Sequence, residues 1–322
     1  MKTLVVGGAG YLGGAVVETL KTLAPKGNFT VYDSLLYEDQ FLKAVPFVRG
    51  DVRDWSKLRK VIADHDSIVW LAAIVGDGAC ASNKEVTVQV NEEPVKKLSK
   101  EFPDKRIIFT STCSVYGANN TGVLIETSRL NPLSIYAGTK LNAEEAIIKD
   151  VKNHYILRLG TLFGLSDEFS RIRFDLVVNK MAADAVNRGE LTIFGGQQWR
   201  PLLHVRDVGD TIAYLASTDT EYMSGVYNLS YDNYIIKDIA EAVRKNTNAS
   251  IKHVDQKFED LRDYRVSTEK ARRHLGFYPQ LPIEVGISEI VRITKEGRIK
   301  DVNSPKHSNQ GFLQGFYDTN KD

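Results

Sequence analysis

Short apolar runs alternate with longer amphipathic stretches through the first half of the chain. Thr3–Val6, Thr30–Tyr32, Phe47–Val48, Ser67–Leu71, Arg106–Thr110 and Tyr155–Leu159 are β-rich and lack polar alternation. Runs of that kind suit strands buried on both faces, as in a parallel sheet. Between them, Tyr11–Leu23, Trp55–Ile62, Val86–Glu101 and Tyr136–Val151 read as helices. The alternation predicts right-handed βαβ units and an α/β, doubly wound parallel sheet. After about residue 164 the rhythm changes. Helical patterns at Phe174–Arg188, Val208–Ala216 and Lys237–Lys245 alternate with strand-like Leu191–Phe194, Pro201–Val205 and Val226–Leu229. This predicts a first domain over 1–165, with some later segments rejoining its sheet. A smaller C-terminal α/β domain over 166–300 and a loose polar tail over 301–322 complete the division.

Composition narrows the class. At roughly 150 residues per domain, 322 residues make one large or two ordinary domains. Lys+Arg number 42 against 41 Asp+Glu, which argues against a nucleic-acid-coating protein or a polybasic membrane binder. The two cysteines, Cys80 and Cys113, exclude a disulfide scaffold and fit a reducing, cytoplasmic setting. The six histidines form no ligand-spaced pair, so no metal site is expected. Neither a secretory leader nor a membrane-spanning stretch is read from the chain.

Gly7-Gly8-Ala9-Gly10-Tyr11-Leu12-Gly13 follows the first strand and opens the first helix. Gly7 permits the tight turn, Gly10 lets backbone approach a pyrophosphate, and Gly13 allows close helix–strand packing. The helix N-terminus then offers free N–H groups to phosphate, the Rossmann arrangement. Asp33 ends the next strand, about twenty residues on, where a carboxylate accepts from adenosine ribose hydroxyls. It would repel a 2′-phosphate, which favours NAD over NADP. The bland alternatives are an ordinary glycine turn and a solvated strand-end Asp.

Tyr136 and Lys140 stand one helical turn apart, and a nearby cation favours the phenolate. Fourteen Tyr in this composition predict roughly one chance Tyr-x-x-x-Lys match, and a second one does occur at Tyr317 and Lys321 in the tail. Only Tyr136 heads a helix with Thr110-Ser111-Thr112-Cys113-Ser114 upstream, so the tail pair is set aside as a decoy.

Taken together these motifs make the chain resemble the extended short-chain dehydrogenase/reductases, in particular the nucleotide-sugar epimerases and dehydratases. The likeness also rests on Gly50-Asp51-Val52-Arg53-Asp54, Leu71-Ala72-Ala73, Ser111 to Gly117, Arg158 to Gly164 and Arg200 to Val208. By position it implies that Thr112 polarises the reacting alcohol, Tyr136 acts as general base and Lys140 binds the nicotinamide ribose. It sets Asp51 and Val52 against adenine, Leu71, Ala72 and Ala73 along the cofactor, and Tyr11, Leu12 and Ser111 in the NAD site. Asn91 would prop the active site. Arg200 would meet the substrate diphosphate, and Arg262 (or Arg265) is a second candidate. Asn179 is a further phosphate candidate; for it and Arg262 a helix-surface role is the alternative.

Two positions bear on the reaction. Dehydratases of the family carry Asp-Glu after the Thr, and decarboxylases carry Glu at the second position; here stand Cys113 and Ser114. Cys113 is most simply a buried small hydrophobe. The expected activity is NAD-dependent C4 epimerisation of a nucleotide-diphosphate sugar through a 4-keto sugar. The alternatives are a 4-ketosugar reductase, an atypical dehydratase, or a non-catalytic NAD-binding regulatory protein. Asp77, in Gly76-Asp77-Gly78, could contact the sugar or simply serve the turn. The helices Val86–Glu101 and Tyr136–Val151 have apolar faces suited to a C2 homodimer.

Overall fold

The structure, a computed structural model, describes residues 1–24, 27–220, 222–254 and 263–319. At its centre lies a seven-stranded sheet. β1 (Thr3–Val6), β2 (Phe29–Asp33), β3 (Phe47–Arg49), β4 (Ser67–Trp70) and β5 (Arg106–Thr112) are joined by the strands Asn153–Leu159 and Gly225–Leu229. Across the sheet the order is Gly225–Leu229, Asn153–Leu159, β5, β4, β1, β2, β3, with every pair parallel. The winding therefore reverses between β1 and β4. Ligands of such sheets bind at that switch point, outside the carboxyl ends of the strands.

Alternate residues of each central strand feed opposite layers, which explains why the strands lack a regular polar–apolar alternation. Val5, Val69, Ile108 and Leu157 pack with Val16, Val17 and Leu20 of helix α1 (Tyr11–Leu23) and with Val208 and Ile212 of the helix Val205–Ser217. Leu4, Ile68, Ile107 and Ile156 face Leu58, Leu98 and Ile147 from helices on the other side. One expected helix is two. Lys84–Asn91 and Glu93–Glu101 meet at Glu92, with Pro94 in the first turn of the second. Proline has no N–H to continue a helix and a φ suited to starting one.

The later chain adds small sheets, among them Thr161–Phe163 with Trp199–His204 and Asp232–Ile235, over a core of Val178, Ile239, Val243 and Ile287. It is seated directly on the first layer. A Cβ on Gly14 of α1 would fall 2.5 Å from Asp167 Oδ1, so the segment 166–170 lies straight against the helix. Asp167 also pairs with Lys43 at 2.8 Å, both side chains only 4% exposed. Removing one partner would strand a buried charge.

The tail is not loose. A short 3-10 turn, Pro305–His307, leads into the helix Asn309–Thr319, which packs on the helix Asp77–Ser82. Leu313 is 1% exposed among Ile74, Ala79 and Cys80, with Phe312 and Tyr317 beside it. These apolar residues recur four apart, but polar residues on either side mask the stripe.

Candidate active site

A cavity of about 1340 Å³ opens at the switch point. Its cofactor side is mostly backbone. Gly7 has φ +90°, and a Cβ there would fall 2.5 Å from the Ala72 nitrogen. Leu71 and Ala72 both donate to the Val6 carbonyl, at 2.8 and 3.0 Å, folding the Leu71–Ala73 loop across the end of β1. A Cβ on Gly13 would overlap Gly7 O at 2.5 Å, whereas one on Gly10 would meet protein only at 3.5 Å. Protein packing thus demands glycine at 7 and 13, while the open space over Gly10 suits a ligand's pyrophosphate. Gly10 caps α1 with no side-chain bond, which leaves first-turn N–H groups for an external acceptor.

Asp33 accepts from Ala9 N at 3.0 Å and Leu35 N at 2.8 Å, with lone pairs left for hydroxyl donors. Burial pushes its carboxyl above the usual range, against the pull of those backbone bonds. Asp51 and Val52 line the cavity, but the Asp51 carboxylate is gripped by Arg53 Nη2 at 2.7 Å. The Tyr11 phenol turns away from any cofactor to donate to Gly164 O at 2.6 Å. These features, a backbone cradle and a carboxylate without a basic neighbour in the same turn, fit NAD.

At the cavity's centre, Thr112 ends β5 and its hydroxyl accepts from Ser114 N at 3.1 Å. Tyr136 opens the helix Ile135–Asp150, capped by Ser134, and its phenol hydrogen-bonds Thr112. Lys140 is 2% exposed, donates to Thr110 O at 2.9 Å and sits 4.7 Å over the Phe109 ring. Burial pulls its ammonium down to about 8. The balance at the Tyr136 phenol is set by other groups than the sequence pointed to. Burial, then Cys80 and Asp77, push Tyr136 up, and the groups pulling it down are Arg173 and Thr112.

The supports are buried. Asn91 accepts from Ile74 N at 2.8 Å and donates to Ile74 O at 2.9 Å, propping the loop beside Tyr136. Glu144 pairs with Arg158 at 2.7 Å, the side chains 0% and 3% exposed, and pins the Tyr136 helix to the sheet. Ser111 is a cavity residue, yet its hydroxyl is committed to Glu144. Cys113 is fully buried and donates to Arg158 O at 3.3 Å, a packed thiol rather than a reactive one.

Elsewhere on the wall, Asp77 and Arg200 line the cavity with Tyr264 and Ser114. Asn179 does not. Its amide is 0% exposed, accepts from Gly164 N at 2.8 Å and donates to Arg173 O at 3.0 Å, so it braces the turn before α-helix Val177–Arg188. Arg262 lies outside the described residues; Arg265 stacks 4.9 Å from the Trp199 ring. Sequence reasoning missed Arg171, Arg173 and Asp175, which line the wall facing Tyr37. Arg173 grips Asp175 through two bonds at 2.9 and 3.0 Å. The signal was the Arg-x-Arg-x-Asp spacing just before a helix. It also discarded Tyr317, which lines the cavity.

The fold and this cradle define a dinucleotide-binding α/β protein of the Rossmann class. The model of the NAD-dependent epimerase/dehydratase family matches residues 3–230, and the chain belongs to that family. A dTDP-glucose 4,6-dehydratase of Streptomyces niveus is 25% identical, covering 92% of this chain and 94% of its own. A UDP-glucose 4-epimerase of Rhizobium leguminosarum bv. trifolii is 26% identical, covering 90% and 94%. Among solved structures, Thermus thermophilus UDP-glucose 4-epimerase complexed with NAD matches with TM-score 0.76 at 22% identity, over 92% of this chain and 99% of that one. Relatives at the same distance thus carry different reactions. Among the described residues no helix is long and apolar enough to cross a membrane, and no three His, Cys, Asp or Glu gather to hold a metal ion.

Proposed function

We propose that the protein is a nucleotide-sugar epimerase acting at C4. The observation that carries this reading is the wall beside Thr112 and Tyr136. The two positions that hold acid and base in the dehydratases are a buried thiol, Cys113, and a hydroxyl, Ser114, 3.4 Å from Tyr264 Oη. Neither is an acid–base pair at neutral pH. What the chain does supply is a hydroxyl, Thr112, to orient a substrate alcohol and a tyrosine, Tyr136, that as phenolate takes its proton. Tyr136 would hold the C4-hydroxyl proton while Thr112 fixes the oxygen, and return it after the sugar has turned. NAD, held by the glycine turn, Asp33 and Lys140, would supply the hydride acceptor and donor. Arg200, 5% exposed on the cavity wall, supports a diphosphate-linked substrate.

Asp77 favours a second reading. It stands within electrostatic reach of Tyr136 and is a carboxylate that an atypical dehydratase or a ketosugar reductase could use. One experiment separates the readings: UDP-, GDP-, CDP- and dTDP-sugars incubated with enzyme, followed by proton NMR and mass spectrometry. Inversion at C4 with unchanged mass and no net NADH change is expected. Loss of water, or consumption of added NADH, would replace the epimerase reading.

A further inference from the structure

We propose that the C-terminal helix Asn309–Thr319 roofs the NAD slot, with Phe316 and Tyr317 forming an aromatic wall for the adenine. The inference rests on NAD occupying the slot described above, and not on which sugar reaction follows. Both aromatic residues line the same cavity as Asp33, Asp51 and Val52. The Tyr317 hydroxyl lies within electrostatic reach of the Arg53 guanidinium. Arg53 in turn grips Asp51, at the turn where the adenine edge is expected. Adenine offers two flat faces, and aromatic side chains bind such faces by stacking.

The roof is clasped rather than merely leaned in place. Asn309 donates its backbone N–H to Asp175 at 2.8 Å and its amide to Val75 O at 2.8 Å, and accepts from the Arg171 guanidinium. Arg171 lies 4.0 Å over the Tyr37 ring, and its backbone N–H donates to Glu38 at 3.0 Å. Phe312 meets the other flank of this clasp, its ring 4.9 Å from Tyr37. Asn309 thereby joins the loop after Ala73 to the 171–175 segment, and Arg171 carries the link on to the loop after Asp33. At the same seam two buried donors, Tyr37 Oη and Arg171 Nε, have no hydrogen-bond partner among the described residues. Unmet donors of that kind are costly in a closed site and are satisfied by a polar ligand. Exchange of NAD is then gated by undocking of the helix.

The test reads NAD itself, independent of turnover. Full-length wild type, Asn309→Ala, Leu313→Asp and the double variant Phe316→Ala/Tyr317→Ala are purified. Bound NAD is quantified after acid extraction, and its loss on dilution is timed. Wild type is expected to retain close to one NAD per chain through gel filtration. Asn309→Ala and Leu313→Asp should lose it at least ten-fold faster, and the aromatic variant, which keeps Leu313 and Asn309 in place, about five-fold faster. Far-UV circular dichroism confirms folding, and the aromatic variant keeps the test decisive if Leu313→Asp unfolds. Folded variants that keep NAD as long as wild type overturn the inference. Asp33→Ala reads the slot separately; if it retains NAD unchanged, the cofactor lies elsewhere and the roof assignment falls with it.

Discussion

The cofactor side of the cavity is built from backbone: Gly7 at φ +90°, the Val6 carbonyl, the N-terminus of α1, and Asp33 held by two N–H groups. The other wall is built from charged and hydroxyl side chains, with Arg173 on Asp175, Arg200, Asp77, Thr112 and Tyr136. Backbone can present one geometry and tolerates no added atom. Side chains can be exchanged while the fold is kept, so this is where one scaffold acquires different reactions. Relatives of similar identity named for different reactions are what that division of material allows.

Four substitutions probe the division. The largest effect is expected on the side-chain wall, where Tyr136→Phe removes the proposed proton carrier. Turnover should fall about 10²–10⁴-fold with NAD still bound; a variant at wild-type rate would remove Tyr136 from the chemistry. Gly7→Ala attacks the backbone wall and should hit fold and NAD together. Strain at positive φ alone costs about 1–3 kcal/mol, and a Cβ would also strike Ala72. Urea melts and NAD content should drop in parallel, and an NAD loss without destabilisation would show the two to be separable.

Lys140→Met gives a stability effect of opposite sign. The buried ammonium is pulled down from 10.5 to about 8. Below pH 8 both folded and unfolded chains hold the proton and the folded state bears the full cost. Between pH 8 and 10.5 the unfolded state holds more protons, so wild-type stability rises with pH. NAD-free Lys140→Met should therefore be the more stable at pH 7, by a margin that narrows towards pH 10.5. A pH-independent margin would mean Lys140 is not buried as a cation. The smallest effect is a shift. Arg173 pulls the Tyr136 phenol down, so Arg173→Gln should move the alkaline-favouring limb of the rate profile to higher pH by up to about 1 unit. An unmoved limb would sever Arg173 from Tyr136.

The backbone wall was readable from the sequence because each part is local. A glycine at a strand-to-helix turn and an acid at a strand end announce their roles within a few residues. Thr112, Tyr136 and Lys140 were readable because strand and helix ends place them at the sheet's carboxyl edge. Asn179 misled: an asparagine on a helix is equally suited to phosphate or to a backbone turn, and only the placement of Gly164 decides. The 171–175 segment and the tail were hidden for one reason. Their partners are far away in sequence, as with Arg171 and Asn309, and no local pattern encodes a docking surface 138 positions off. Helical periodicity at Phe312, Leu313, Phe316 and Tyr317 was present, but eleven residues were too few to outweigh polar flanks.

Gly14 has a mechanical consequence. With no side chain between α1 and residues 166–170, and the enclosed Lys43–Asp167 pair beside it, the joint works like a dovetail. Opening about that edge would have to break the enclosed Lys43–Asp167 pair. The segment that follows this joint, Arg171 and Asp175, is the one that holds Asn309 at the head of the last helix, so the joint and the roof share one stretch of chain.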